Sequence, residues 1–325
     1  MRSTLCVEQL ESRELLTVFA KLSGGNLIVW GRPDGQVQIN SLDVGEFEVL
    51  DNGVSVGTFT GVTKNVKVVL SPWPRVTHDD VVIDLSNSDI RRSLLVSTGR
   101  GHDRVTVQGG TVRRSAIIDL GGGNDSFTLA GDARIRLHLT LRTSAGDDTV
   151  NIDGDVGRRL LLLAGGGDDS VRQGFNSSVG RYAVFNLGHG NNSAELNGEF
   201  RRSLAVVSGF GDDSVLLGTG SNVQGRLFVM TSGGADAVTL RGAYESRSLI
   251  ATGSGADVVE ITDSALMGDD LYVLLGSGND EVIYAGQTYG TLTVRGGPGY
   301  DTYVDDGGLA EDFVLHSIEQ IITAA

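Results

Sequence analysis

The chain has a single cysteine, Cys6, in 325 residues, so no intramolecular disulfide and no cysteine-based zinc site can form. Its five histidines (His78, His102, His138, His189 and His316) are scattered and make no ligand pair at helical spacing. Prolines number four, and aromatic residues make up only 6%. No stretch approaches the roughly 18 apolar residues that cross a membrane as a helix. The N-terminus also lacks the apolar run of an ordinary secretion signal. Positive charge is short too. Against 41 acidic residues stand 26 Lys and Arg, and the formal charge of −15 argues against nucleic acid as the main partner, because phosphate binding needs a basic face. No segment sustains a helical period of about 3.6 residues, and glycine interrupts the chain every ten residues or so.

What the chain has in abundance is glycine, 47 residues of it, beside 40% hydrophobic residues, enough for a continuous core. The glycines are ordered. Stretches such as GGGNDSFTL (121–129), GGGDDSVRQ (165–173) and GFGDDSVLL (209–217) repeat one shape. Taking the acid of each knot as an anchor gives Asp103, Asp125, Asp148, Asp169, Asn192, Asp213, Asp236, Asp257, Asp280 and Asp301, at intervals that never leave 21–23 residues. Two residues before every anchor stands Gly, and four before it Gly again, except for Ser144 and Ser232. Apolar β-formers keep the same register two residues after the anchor (Val105, Phe127, Val150), seven before it (Val96, Ile118, Leu141) and thirteen before it (Ile90, Val112, Ile135).

Three inward columns per 22 residues predict an all-β chain folded as a parallel β-helix, a solenoid of roughly ten to eleven coils. It should be right-handed on general chirality grounds. The alternation of 21 and 23 falls between the second strand and the third, so one corner should be alternately longer, with a 44-residue pair as the duplicated unit. Runs such as NLIVWG, QVQI, FEVL and KVVL, joined by the turn signals Pro33-Asp34-Gly35 and Asp51-Asn52-Gly53, predict an N-terminal β cap. The expected organisation is a segment over 1–20, the cap and a degenerate coil near Asp79 over 21–78, repeats over 79–305, and a closing cap over 306–325 carrying FVLHSIEQIIT.

The glycine knot admits two readings. Glycines permit a sharp corner, and the Asp can accept backbone N–H bonds there, with no ligand at all. Stacking adds a second. Nine carboxylates in one column, about 4.8 Å apart, repel by roughly 0.9 kcal/mol per neighbouring pair even in water. Carboxylates among free backbone carbonyls suit a hard cation such as Ca²⁺. The candidate ligands are Asp103, Asp125, Asp148, Asp169, Asp213, Asp236, Asp257, Asp280 and Asp301, with Asn192 breaking the column.

The segment GGPGYDTYV (296–304) resembles the G-G-x-G-x-D-x-U-x nonapeptide of the RTX, or haemolysin-type, calcium-binding repeats. That resemblance implies Ca²⁺ held between stacked turns by the anchor Asp side chains and glycine carbonyls. The family repeats its motif every nine residues on both edges of the coil, whereas this chain carries it once per coil. CVEQLESRELLT (6–17) is similar to the N-terminal L-E-x-R-x-L-L segment of many secreted or surface proteins of planctomycete bacteria, and implies export and an extracellular or cell-surface location. Read alone, it is a short amphipathic helix.

A basic column lies ten or eleven residues before the anchors: Arg92, Arg114, Arg158, Arg159, Arg181, Arg202, Arg226 and Arg247. It is either a solvated edge or an anionic-ligand edge, centred on Arg92, Arg114, Arg158, Arg181 and Arg202, for sulfated or uronic polysaccharide. Polysaccharide-degrading β-helix enzymes of the pectate-lyase type build clefts from long inserted loops, for which the constant interval leaves no room. No His/Ser/Asp constellation or singled-out carboxylate pair stands apart from the repeat. The expectation is an exported, non-enzymatic surface, matrix or adhesion element with Ca²⁺ as structural cofactor and a surface polysaccharide or protein as partner. A β-helix that binds or degrades polysaccharide is the alternative.

Overall fold

Each 22-residue unit carries three short apolar runs, and none can bury its inner side chains without a neighbour above and below. The computed structural model, which describes residues 17–33, 35–70 and 76–323, shows how the chain solves this. The fold is all-β, a solenoid of about 11 coils with no helix among the described residues. Each coil has three faces, illustrated by Leu94–Ser97, Arg104–Gln108 and Thr111–Val112. Within the coils the strands pair in parallel with their equivalents one coil on, so that Val105 meets Phe127, Phe127 meets Val150, and Val150 meets Val171. At the strand spacing of about 4.8 Å the coils make a rod roughly 50 Å long.

All three expected columns are buried along the whole repeat, from Ile90, Val96 and Val105 to Met267, Val294 and Tyr303. Two further columns join them, nine residues before the anchor (Leu94, Leu139, Leu160, Leu204) and four after it (Leu129, Ile152, Leu217, Leu240). A side chain of this kind contributes roughly 1.5–3 kcal/mol when fully buried. Because like stacks on like, the core runs unbroken through the rod.

The alternating corner lies where the spacing puts it, and the coordinates give its cause. The long version closes as a turn, with Ala133 N–H to the Ala130 carbonyl (2.9 Å), Ser221 to Gly218 (2.9 Å) and Ala265 to Thr262 (2.9 Å). The short version, one coil later, has glycine at its centre: Gly154, Gly198, Gly242 and Gly286. A Cβ on Gly242 would lie 2.2 Å from the Ser221 carbonyl oxygen of the turn beneath. Long turn and glycine corner therefore interlock as a pair.

At the N-terminal end, Val18–Ser23 and Asn26–Gly31 form an antiparallel hairpin, and Gly35–Asp43, Glu46–Asp51 and Val54–Thr60 form an antiparallel meander. The hairpin at Asp51-Asn52-Gly53-Val54 places both central residues at positive φ, 50° and 79°, as expected of an Asn-Gly turn. The cap is grafted onto the coil path, because Asn26–Gly31 pairs in parallel with Val66–Leu70 and Gly35–Asp43 with Asp79–Asp84. The far end is also built of strands. Leu309–His316 and Gln320–Thr323 add one more parallel layer instead of covering the last one, and leave Leu309, Phe313, Ile321 and Ile322 exposed. Residues 6–16 of the N-terminal segment, and Asp34 of the first turn signal, lie outside the described residues.

Candidate functional site

The glycine knots sit at the corner between face one and face two. Their glycines are required by backbone approach: a Cβ on Gly123 would lie 1.8 Å from the Gly101 carbonyl oxygen one coil earlier, at a φ of +128°. This tight corner lets the next residues read the neighbouring coils. Each anchor carboxylate turns inward and accepts, through Oδ1, the N–H of the preceding anchor. Asp103 N–H donates to Asp125 (2.7 Å), Asp125 to Asp148 (2.7 Å), Asp148 to Asp169 (2.9 Å) and Asp169 to Asn192 (3.0 Å). The series continues through Asp213, Asp236, Asp257, Asp280 and Asp301, and the Asp301 N–H ends it on Glu319 (2.9 Å).

A second ladder, not anticipated from the sequence, runs the other way. The residue just before the anchor faces outward, and its side chain accepts an N–H from the following coil. Asn124 N–H donates to His102 Nδ1 (2.8 Å), Asp147 to Asn124 (3.0 Å), Asp168 to Asp147 (2.9 Å), Asn191 to Asp168 (2.7 Å) and Asp212 to Asn191 (2.8 Å). The signal was present: these positions carry His, Asn or Asp, short side chains with an acceptor at one reach. Ala235 and Ala256 end the run by supplying no acceptor.

All nine anchor aspartates are buried, and the second oxygen, Oδ2, of each has no hydrogen-bond partner. Loss of water pushes the carboxyls of Asp125 and Asp169 up to about 7, and those of Asp236 and Asp280 up to about 6, and the neighbouring anchors' charges add to the rise. Burial likewise raises Asp103, Asp148, Asp213, Asp257 and Asp301. The residue five before the anchor forms a further buried column that the sequence does not announce. A hydroxyl stands beside Asp103, Asp148, Asp236 and Asp257 (Thr98, Thr143, Thr231 and Thr252), whereas Leu120 and Ala164 leave Asp125 and Asp169 without one. In the structure these hydroxyls donate to carbonyls, as Thr98 does to Leu120 (2.9 Å).

Ca²⁺ takes six to eight oxygen ligands. One carboxylate oxygen per anchor aspartate is occupied by a backbone N–H, and part of the knot's carbonyls are engaged as well. Gly99 O accepts from Gly122 (3.1 Å) and Gly122 O from Gly101 (2.9 Å). Within the anchor ladder, Oδ2 of each of the nine aspartates is the side-chain oxygen left without a hydrogen-bond partner. Among the described residues no group of three or more His, Cys, Asp or Glu is arranged to hold a metal.

The basic column occupies the corner between face three and face one, a strand length from the glycine knots. Backbone bonds stack it coil on coil: Arg92 N–H to the Lys64 carbonyl (2.9 Å), Arg114 to Arg92 (2.9 Å) and Arg181 to Arg158 (2.8 Å). Arg92, Arg114, Arg158, Arg181, Arg202 and Arg226 are exposed, and among the described residues none has a carboxylate partner.

Comparison with known proteins returns no match, whether to a protein-family model, to a curated protein or to a solved structure.

Proposed function

We propose that this chain is an exported, non-catalytic structural or adhesion rod of the cell surface or extracellular matrix. The supporting observation is the uninterrupted register: anchors 21–23 residues apart on every coil, with no inserted segment to wall a cleft. Such a body offers long linear edges rather than a pocket. The resemblance of residues 6–17 to planctomycete export segments supports an extracellular or cell-surface location. Protease treatment of intact source cells tests it: loss of the protein from intact cells is expected, and a pool fully protected until lysis would refute a surface role. Catalysis on pectin or alginate would refute the non-catalytic part.

A calcium-stiffened rod is the second reading, favoured by the nine unpartnered Oδ2 atoms and the resemblance of 296–304 to RTX repeats. Bound Ca²⁺ would neutralise the stacked acids and stabilise the fold by mass action. A thermal melt with Ca²⁺ and with chelator, paired with elemental analysis, decides it. An unchanged midpoint and no bound metal would retire the cation and leave protons to neutralise the column.

A further inference from the structure

On the arginine edge the surface is not uniform. At 203, 225 and 246 the corner carries Ser, Gly and Ser, and the small side chains leave an open groove of about 830 Å³ crossing several coils. Its walls carry Tyr182, Arg201, Arg202, Gln224, Arg226 and Arg247. Two of these arginines are fixed from outside the groove: Arg201 by Glu199 (3.1 Å) and Arg247 by Asp270 (3.1 Å), with the Arg247 guanidinium 5.6 Å from the centre of the Tyr272 ring. Among the described residues Arg202 and Arg226 have no acidic partner, although the molecule as a whole carries −15. Asp269 marks the end of the groove.

We propose that this groove binds a linear anionic polysaccharide, sulfated or uronic, lying along the rod axis across successive coils. Three features point to a sugar chain. The unpaired guanidinium groups supply planar, forked donors that match carboxylate and sulfate. Tyr182, 47% exposed, offers an aromatic face for a pyranose ring beside them. The Ser203 and Ser246 hydroxyls and the Gln224 amide set polar groups among these, as hydroxyl-rich ligands require. The coil spacing of about 4.8 Å is close to the length of one sugar unit in an extended chain, so successive corners can meet successive residues. The basic edge continues through Arg181 and Arg158 towards the N-terminal coils, which gives a longer chain further contacts. The inference rests on the reading of the protein as a non-catalytic rod.

Affinity electrophoresis and titration calorimetry with heparin, polygalacturonate, neutral dextran and duplex DNA test it, on the full chain. Binding to heparin, polygalacturonate or both, but not dextran, is expected, and which of the two binds tells sulfate from carboxylate. Arg202→Ala with Arg226→Ala should weaken that binding about tenfold or more, and Tyr182→Ala should weaken it as well. Arg172→Ala, which removes an ion pair to Asp153 outside the groove, should change nothing. All these side chains are exposed, and unchanged melting midpoints would show that the variants fold. Failure to bind either anionic glycan, binding that survives the double substitution, or equal binding to DNA would overturn the proposal. Cleavage of the bound glycan would defeat the non-catalytic reading while upholding the groove.

Discussion

Replacing Asp125 by asparagine should remove part of the protein's sensitivity to rising pH. The Asp125 carboxyl, ordinarily near 3.8, is held up at about 7 in the fold. A carboxyl raised on folding contributes stability that is present below its unfolded value and lost as pH climbs through its folded value. The window is therefore about pH 4 to 7. Between pH 5 and pH 8 this one group should cost the wild type about 2.5 kcal/mol by proton linkage. Asp84 and Asp270 are shifted the other way, held down chiefly by hydrogen bonds, and lose their contribution only on acidification below this window. Asn192 shows that the amide fits the ladder: its Oδ1 accepts the Asp169 N–H (3.0 Å) and its Nδ2 donates to the Gly190 carbonyl (2.9 Å). Asp125→Asn should thus keep the ladder, match the wild type at pH 5, and exceed it by about 2.5 kcal/mol at pH 8. Urea unfolding followed by circular dichroism at both pH values, with chelator present, measures this. A variant as pH-sensitive as the wild type, or a wild type more stable at pH 8 than at pH 5, would refute the reasoning.

Gly278→Ala should be among the most damaging single changes, because its Cβ would lie 1.4 Å from the Gly255 carbonyl oxygen; a loss above about 3 kcal/mol in a denaturation series is expected. Gly24→Ala, with nothing within 4 Å, should cost only the positive-φ strain of roughly 1 kcal/mol. Leu162→Ala, in the buried column seven before the anchor, should lose about 2–5 kcal/mol by the same assay. Asp147→Ala removes the acceptor of the exposed Asp168 N–H (2.9 Å) and should cost about 1 kcal/mol or less, since water replaces it.

The coil was legible because its signals are strictly periodic. One spacing fixed the anchors, and three apolar columns kept step with them, so burial at Val105, Val96 and Ile90 follows from counting alone. The outer ladder escaped notice because His102, Asn124 and Asp147 look unrelated as residue types and agree only in where an acceptor atom lies. Thr98, Thr143 and Thr252 were missed for the opposite reason. They alternate with Leu120, Ala164 and Leu275 in one buried column, and a column of mixed polarity shows no pattern until the Asp beside it is seen. The groove depends on Ser203, Gly225 and Ser246 being small, which is an effect of packing that no spacing announces.

The interlocked corners also govern how such a rod can change length. Gly242 fits over the turn at Ser221 because a short corner always follows a long one. Excising residues 149–192, one long-and-short pair of 44 residues, rejoins matching corners and should leave a foldable protein. Excising 149–169 alone would remove the short corner at Gly154 and set one long turn directly on another. Viable lengths therefore come in steps of two coils, about 10 Å each. A rod built this way is graduated, and duplications within its gene would be kept only when they move it by a whole division.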